Sequence, residues 1–336
     1  MVVAPARRGD EAAAEHGFLT NFSHQMLAGD YYAGGMPMIW PESGWKVLKE
    51  QGKRRGFGSS KIVTKSLKGF TEMNGSLGDF RESLTPSNRH PLILRVRVDP
   101  TSYQDATRLV LEWARQGESR YVCAAGMHPI MEAWDDPSFR TILNTADLVI
   151  PDGMSTVWML RRLGYLDQQR VCGPDLTLHV CEAAAREGIP VGFYGGYPEA
   201  LHAMVRRLRS LFPALVVAYA WSPPFRPLSP EEDAQVVKEI VRSGARILFV
   251  GLGCPKQERW MAEHRGRVPA VMLGVGAAFD FLGGRVRRAP RWMQDHGLEW
   301  LFRLAMEPRR LWRRCMKHGP RFVVLALLQL WRTRAC

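Results

Sequence analysis

The sequence predicts an α/β fold with a mostly parallel β-sheet, helices on both faces of the sheet, and a basic helical segment at the C-terminus. Three observations lead to this prediction. Short apolar segments typical of strands alternate with helical segments of about 10 to 15 residues, which is the pattern of βαβ units. Glycine-rich turns follow several of the strands, and the surplus of Lys and Arg is concentrated beyond residue 285.

The composition divides the chain into three segments. Residues 1–88 are rich in Gly, Ser and Lys and carry few periodic patterns, so we interpret them as an N-terminal extension compatible with poor order. Residues 89–284 contain the alternating strands and helices and are predicted to form the core. Residues 285–336 are predicted to form a basic amphipathic appendage.

Each predicted element of the core has its own signal. Residues 92–98 alternate apolar and polar side chains like a half-buried strand, and the spacing of Ala106, Val110 and Trp113 predicts a helix over 103–116. The other strands are predicted from apolar runs at 120–126, 146–153, 189–196, 214–220, 245–253 and 270–280. The other helices are predicted at 137–145, 155–163, 175–187, 198–211, 230–243 and 257–264.

The charge balance favours an anionic partner. Forty-six Lys and Arg residues stand against 33 Asp and Glu residues, a formal net charge of +13. Such a surplus is typical of proteins that bind nucleic acid, anionic lipid or phosphorylated substrates.

The cysteines and apolar runs bear on the compartment. The six cysteines form no C-x-x-C pair and the nine histidines are scattered, which indicates neither a zinc site nor a disulfide framework. We therefore expect a reducing, cytoplasmic compartment. The N-terminus lacks the continuous apolar region of a secretory signal. The longest apolar run, at 322–331, is shorter than the roughly 20 residues of a membrane span.

Four predicted strands end in unusual residues, at the edge where parallel sheets bind their ligands. These ends are Pro151-Asp152-Gly153, Gly195-Gly196, Gly251 to Glu258, and Gly274-Val275-Gly276. Glycines there let the backbone approach a diphosphate, although they also make ordinary tight turns. Lys256 and Phe279 replace the third glycine of a dinucleotide fingerprint, and no P-loop motif occurs, which disfavours a nicotinamide-dependent oxidoreductase and a P-loop NTPase.

Polar residues at these strand ends are the candidates for chemistry. Asp152 is a candidate general base, with a simple turn residue as the alternative. Lys256 is placed to neutralise phosphate or to be solvated, and Gln257 and Glu258 to orient a ligand or to begin a helix. His128 is a candidate ligand contact, or a histidine satisfied within the protein.

Several long segments together resemble the WecG/TagA/CpsF family of bacterial glycosyltransferases. They are ADLVIPDGMSTVW, RVCGPDL, VGFYGG, ILFVGLGCPKQERW and GVGAAFDFLGGRVRRAPRWMQDHGLEWLFRLAMEPRRLWRR. The resemblance extends from about Leu92 to Arg321 and follows the family's order and spacing.

The resemblance implies a Rossmann-like single core and an inverting, metal-independent transfer from a UDP-sugar to a polyprenyl-diphosphate-linked sugar, with no cofactor. It implies Asp152 as the base, and it matches Arg170 loosely and Asp175 and Asp280 directly to substrate-binding positions. The remaining substrate-binding candidates are Gly195, Gly196, Gly251, Gly253, Pro255, Lys256, Gln257, Glu258, Gly276 and His128.

One departure from the family concerns the strand before the PDG motif. Family members often carry a T-x-N element there, and the corresponding positions are Ala124 and Gly126. Loss of both side chains predicts a donor other than the N-acetylmannosamine donor of familiar members, or reduced activity.

The basic appendage is predicted to contact a membrane or a diphosphate. From Arg285 to Cys336 there are thirteen Lys and Arg residues against three acids, interleaved with Trp. Arg with Trp and Leu at helical spacing is typical of a helix that lies on anionic lipid, whereas a basic helix packed on the core is the alternative. The candidate contact residues are Arg285, Arg288, Arg291, Arg303, Arg309 and Arg310.

Together these features predict a hexosyltransferase of cell-surface or exopolysaccharide synthesis, peripheral on the inner face of the plasma membrane. Its expected partners are a UDP-sugar, a polyprenyl-diphosphate-linked acceptor and an anionic membrane surface, and a homo-oligomer is compatible with the sequence. Nucleic acid is not expected, because no helix-turn-helix, zinc or RRM signature occurs. The alternative is a weak or inactive family member that acts as a membrane or nucleic-acid binding module.

Overall fold

The computed structural model describes residues 90–334, so the prediction for 1–88 lies outside the described residues. These residues contain eight strands: β1 (Leu92–Ile93), β2 (Val96–Arg97), β3 (Arg120–Ala124), β4 (Leu148–Ile150), β5 (Val191–Gly195), β6 (Val217–Trp221), β7 (Ile247–Gly251) and β8 (Val271–Gly274).

Twelve helices accompany the strands in this part of the chain. Those of the first half are α1 (Tyr103–Gln116), α2 (Met127–Asp135), α3 (Pro137–Asn144), α4 (Met154–Arg162), α5 (Gly173–Glu187) and α6 (Pro198–Leu211). Those of the second half are α7 (Pro230–Ser243), α8 (Lys256–Glu263), α9 (Ala278–Leu282), α10 (Arg291–Asp295), α11 (Glu299–Met306) and α12 (Pro308–Arg334).

Six of the strands form one parallel sheet in the order β4-β3-β8-β7-β5-β6. At one side of the sheet, Val122 of β3 pairs with Leu148 of the edge strand β4 and with Leu273 of β8. The predicted mostly parallel α/β sheet is therefore confirmed.

Alternating side chains of the sheet enter two separate apolar cores. In β7, Leu248 and Val250 belong to one core, whereas Ile247 and Phe249 belong to the other. Successive side chains of a strand point to opposite faces, so both faces are covered. One core includes side chains of α2, α3, α7, α8 and α12, and the other includes side chains of α1, α5 and α6, as predicted for helices on both faces.

The single strand predicted at 92–98 is wrong. The segment forms a two-stranded antiparallel hairpin, because Leu94 and Arg95 have φ angles of 48° and 69° and turn the chain back. Gln329 of α12 stabilises this hairpin, since its amide accepts from the Leu94 N–H at 2.8 Å and donates to the Leu92 carbonyl at 2.7 Å. A contact from the far end of the chain thus overrides the local alternation.

Helix α2 was not predicted from the sequence. Its third residue is Pro129. Proline is tolerated there because N–H groups in the first turn of a helix have no acceptor within the helix. Ile130, Met131 and Ala133 are buried and hold the helix on the core.

The C-terminal helix α12 packs on α2 and shares the core. Arg321 donates two hydrogen bonds to Asp135, at 2.9 and 2.6 Å, and Phe322 and Ala326 are buried. Because α12 shares the core, the predicted boundary after residue 284, between the core and the basic appendage, stays a prediction from the sequence. No helix within residues 90–334 is long and apolar enough to cross a membrane. Free thiols in this range are Cys123, Cys172, Cys181, Cys254 and Cys315.

Candidate active site

The carboxyl ends of the parallel strands open into a cleft of about 1450 Å³. Gly126 lines it after β3, Asp152 after β4, Gly253 after β7 and Gly276 after β8. This is the position expected for the ligand site of an open parallel sheet. The C-terminal helices α11 and α12 close the opposite wall with Arg303 and other side chains.

Close packing explains the glycines at the ends of β5 and β7. The ring of Phe279 lies where a Cβ at Gly251 would stand, and a Cβ at Gly196 would lie 2.7 Å from Phe279 Cδ1. Gly195 has a φ of 123° and faces the backbone of Gly251. These glycines are therefore required by packing, whereas Gly253, with a φ of 79°, has open space around it.

Asp152 projects from the turn that follows β4 into the cleft. Its Oδ1 accepts a hydrogen bond from the Gly173 N–H at 3.1 Å, at the start of α5. Its Oδ2 faces Gly126, where an added Cβ would lie 3.8 Å away. The carboxyl is accessible from the cleft but surrounded by protein atoms, and this burial raises its pKa above the usual range.

Arg170 and Glu299 set the electrostatic surroundings of Asp152. Arg170 Nε donates to the main-chain carbonyl of Asp152 at 2.6 Å, and its Nη1 lies 2.7 Å from Glu299 Oε2. Burial has the largest effect on the pKa of Asp152. Of the neighbouring charges, that of Arg170 lowers this pKa and that of Glu299 raises it. Since Glu299 begins α11, this ion pair also joins the C-terminal helices to the turn that carries the carboxylate.

Asp175 forms a separate polar cluster beside the cleft. Arg288 contacts both carboxylate oxygens of Asp175, one of them at 2.7 Å, and Tyr103 and Cys172 donate to the same carboxylate at 3.3 and 3.2 Å. Burial raises the pKa of Asp175, but the Arg288 guanidinium outweighs it and holds this pKa below its usual range. Asp175 does not line the cleft, so its partners indicate a structural role.

Gln257 and Glu258 are buried in the first turn of α8, after the turn that follows β7. Gln257 Nε2 donates to Glu258 Oε1 at 2.9 Å, and a Cβ at Gly274 would lie 3.1 Å from the same Nε2. Burial raises the pKa of Glu258. Lys256, the residue before them, is exposed and lines the cleft.

A group of cations lines the cleft wall made by α11 and α12. It consists of Arg303, Arg310 and Arg314, and the last is accessible from the cleft yet surrounded by protein atoms. Burial lowers the pKa of Arg314, and the charges of Arg303 and Arg310 lower it further. The mutual repulsion of these guanidinium charges favours binding of an anion beside them.

The predicted site residues divide into two groups. Those that line the cleft are Asp152, Arg170, Gly196, Gly251, Gly253, Lys256, Gln257, Glu258, Gly276, Asp280, His128, Arg303 and Arg310. Those outside its lining are Asp175, Gly195, Pro255, Arg285, Arg288, Arg291 and Arg309.

Sequence reasoning missed Glu299 and Arg314 as site residues. The spacing of Arg310 and Arg314, four residues apart, puts them on one face of a helix and was an available signal. Glu299 gave no such signal, because its partner Arg170 lies in a distant segment.

A double-mutant cycle tests the structural role of Asp175. We expect Asp175→Asn and Arg288→Gln each to lower the free energy of unfolding by about 1–3 kcal/mol, because each removes a charged hydrogen bond. The double variant should lose less than the sum, with a coupling of about 0.5–3 kcal/mol in urea unfolding. Additive losses, or a raised KM with unchanged stability for Asp175→Asn, would instead indicate substrate contact.

Comparison with known proteins agrees with this architecture. Residues 91–336 match the family model described as "Glycosyl transferase WecG/TagA/CpsF family". A Bacillus spizizenii protein named "N-acetylglucosaminyldiphosphoundecaprenol N-acetyl-beta-D-mannosaminyltransferase" is 29% identical over 231 residues, which are 68% of this chain and 87% of that protein. Because the family model covers the whole sheet, the cleft and α12, the chain belongs to the WecG/TagA/CpsF family of glycosyltransferases.

Proposed function

We propose that the chain is an inverting glycosyltransferase that moves a sugar from a UDP-sugar to a polyprenyl-diphosphate-linked sugar in cell-surface polysaccharide synthesis. The observation that carries this proposal is that Asp152 and the cations of α11 and α12 line the same cleft. A base and an anion site in one cleft suit a reaction that removes a proton and releases a diphosphate. The name of the Bacillus relative supplies the lipid-diphosphate acceptor.

Asp152 acts as the general base in this proposal. The acceptor hydroxyl attacks the anomeric carbon of the donor while Asp152 Oδ2, on the side of Gly126, takes its proton. The hydrogen bond from Gly173 to Oδ1 fixes the carboxylate during the transfer. A pKa raised by burial makes the carboxylate a stronger base than an exposed one, provided that it is ionised at the working pH.

The chain's own cations stabilise the leaving diphosphate. Arg303, Arg310 and Arg314 line the cleft from α11 and α12, and Lys256 lines it from the start of α8. Backbone amides of the glycine-rich turn at 251–253 add donors without side-chain obstruction. These groups meet the developing charge without requiring a metal ion, which is the proposed metal-independent chemistry.

The space beside Asp152 bears on the donor sugar. Ala124 and Gly126 both line the cleft, and a side chain at 126 would project toward the Asp152 carboxylate. The small residues leave room for a donor substituent at this point. We therefore propose that a UDP-sugar other than the N-acetylmannosamine donor is accepted.

Helix α12 is proposed to hold the enzyme on the cytoplasmic face of the membrane. Val324, Leu328 and Trp331 are 57%, 48% and 70% exposed and lie three or four residues apart, on one helix face. None of them lines the cleft. An exposed apolar face on a basic helix is what an anionic membrane surface binds.

Removal of the base tests the reaction. We expect Asp152→Asn to lower kcat by about 10²–10⁴-fold, because the amide cannot take the acceptor proton. UDP release would be measured over a panel of UDP-sugars with a polyprenyl-diphosphate-linked sugar. Asp167→Asn, at an exposed position outside the cleft, is the matched control and should keep full activity. Acceptor-dependent release unchanged in Asp152→Asn would exclude this residue as the base, and no release with any donor would contradict the function.

The pH profile tests the surroundings of that base. The ionised carboxylate is the active form, so kcat/KM should fall as the pH drops through the Asp152 pKa. We expect Arg170→Gln to move this acid limb to higher pH and Glu299→Gln to move it to lower pH, because the first removes a charge that lowers this pKa and the second removes one that raises it. Shifts of both variants in the same direction, or none, would be incompatible with this electrostatic arrangement.

Membrane docking is tested with vesicles that contain anionic lipid. We expect Val324→Glu combined with Leu328→Glu to weaken vesicle binding by about 10²–10⁴-fold, since the burial of each apolar side chain contributes about 1.5–3 kcal/mol. Leu166→Glu, at a residue 74% exposed outside α12, is the control and should bind normally. Sedimentation with vesicles gives the affinity, and equal binding by the double variant and the wild type would rule out this face.

A further inference from the structure

Helices α2 and α12 bring two imidazoles and a carboxylate together at the edge of the cleft. His318 Nε2 lies 3.1 Å from Glu132 Oε1, and His128 Nδ1 lies 3.8 Å from the same oxygen. One potential ligand atom from each residue falls within 4.8 Å of the others. His128 and Glu132 are four residues apart and share one helix face, whereas His318 comes from the far end of the chain.

One nitrogen of the His128 imidazole is available as a metal ligand. Its Nδ1 is buried and has no hydrogen-bond partner among the described residues. The main-chain carbonyl of Cys254 acts on the same ring through a hydrogen bond.

We propose that His128 Nδ1, Glu132 and His318 Nε2 form a binding site for a divalent transition-metal ion of the zinc type. Two imidazoles and a carboxylate are ligands that zinc accepts, at about 2.0–2.2 Å from the ion, which separates the ligand atoms of a tetrahedral site by about 3.4 Å. The separations of 3.1 and 3.8 Å from Glu132 Oε1 lie on either side of this value, and all three ligand atoms fall within 4.8 Å of one another. His128 and His318 also line the cleft, so the proposed site lies at its edge.

The charges around the site limit its affinity. Arg314, Lys317 and Arg321 all act on the imidazoles and oppose a cation. Asp135 offsets part of this charge, because it pairs with Lys317 at 3.3 Å and with Arg321. Glu132 supplies the negative charge within the ligand set itself. We therefore expect weaker binding than in a structural zinc site built from thiolates.

An ion at this position would fasten three parts of the protein together. It joins α12 to α2 directly, and through the Cys254 carbonyl it reaches the turn between β7 and α8. The C-terminal wall of the cleft is then fixed relative to the strand ends. This proposed metal site is separate from the proposed chemistry at Asp152. Whether it binds metal does not depend on which sugar is transferred.

Cobalt(II), as a spectroscopic substitute for zinc, tests the site in the full chain after treatment with a chelator. We expect one equivalent of cobalt to bind with a visible absorption typical of nitrogen and oxygen ligands, and zinc to displace it. His318→Gln and Glu132→Gln should each weaken binding at least tenfold, whereas His202→Gln, at an exposed histidine of α6, should leave it unchanged. Zinc should raise the melting temperature of the wild type and leave that of His318→Gln unchanged.

Three outcomes would overturn the proposal. The first is the absence of saturable cobalt binding by the folded wild type. The second is binding retained in both ligand variants, which would place the ion elsewhere in the chain. The third is an intense thiolate-to-cobalt band in the near ultraviolet, which would assign the ion to cysteines. Glu132→Gln changes no side-chain volume, so it decides the matter even where His318→Gln fails to fold.

Discussion

The burial of the central sheet on both faces is the constraint on which the rest of the structure depends. Neighbouring residues of one strand, such as Leu248 and Phe249, enter different apolar cores, so neither face of the sheet can hold an unpaired polar group. The carboxyl edge is where the chain leaves the sheet and where polar side chains gain access to solvent. Gly126, Asp152 and Gly276 follow three different strands and meet there because the strands are parallel, not because they are close in sequence.

The ion pair between Arg170 and Glu299 links the strand ends of the sheet to the C-terminal helices. It connects the turn that carries Asp152 to the first residue of α11, and its two charges act on the Asp152 carboxyl in opposite directions. The proton affinity of the candidate base therefore depends on a contact with the C-terminal helices. Since α11 and α12 also carry Arg303, Arg310 and Arg314 of the cleft lining, the same elements position the candidate base and the proposed anion site.

The sequence predicted the sheet and the strand-end residues because both follow from local patterns. Alternating strands and helices specify a parallel sheet, and this topology alone brings Asp152 to the cleft. What could not be predicted depends on contacts between distant segments. Gln329 turns the expected strand at 92–98 into a hairpin, and Arg288 engages Asp175 beside the cleft rather than within it. Neither partner leaves a periodic signal in the sequence.

Helix α12 combines three surfaces that soluble helices seldom carry together. One packs Phe322 in the core, one presents Arg310 and Arg314 to the cleft, and one exposes an apolar face that includes Leu328. A helix rises about 1.5 Å per residue, so Arg314 and Leu328 are separated by about 20 Å along its axis. Pro320 lies between these two residues, and beyond it the buried Phe322 and the Arg321–Asp135 contact hold the helix on the core. The apolar face and the cation cluster are therefore carried by the same packed element. Under the proposed function, docking of the apolar face would hold the cation cluster close to the lipid surface, where the diphosphate of a polyprenyl-linked acceptor would lie.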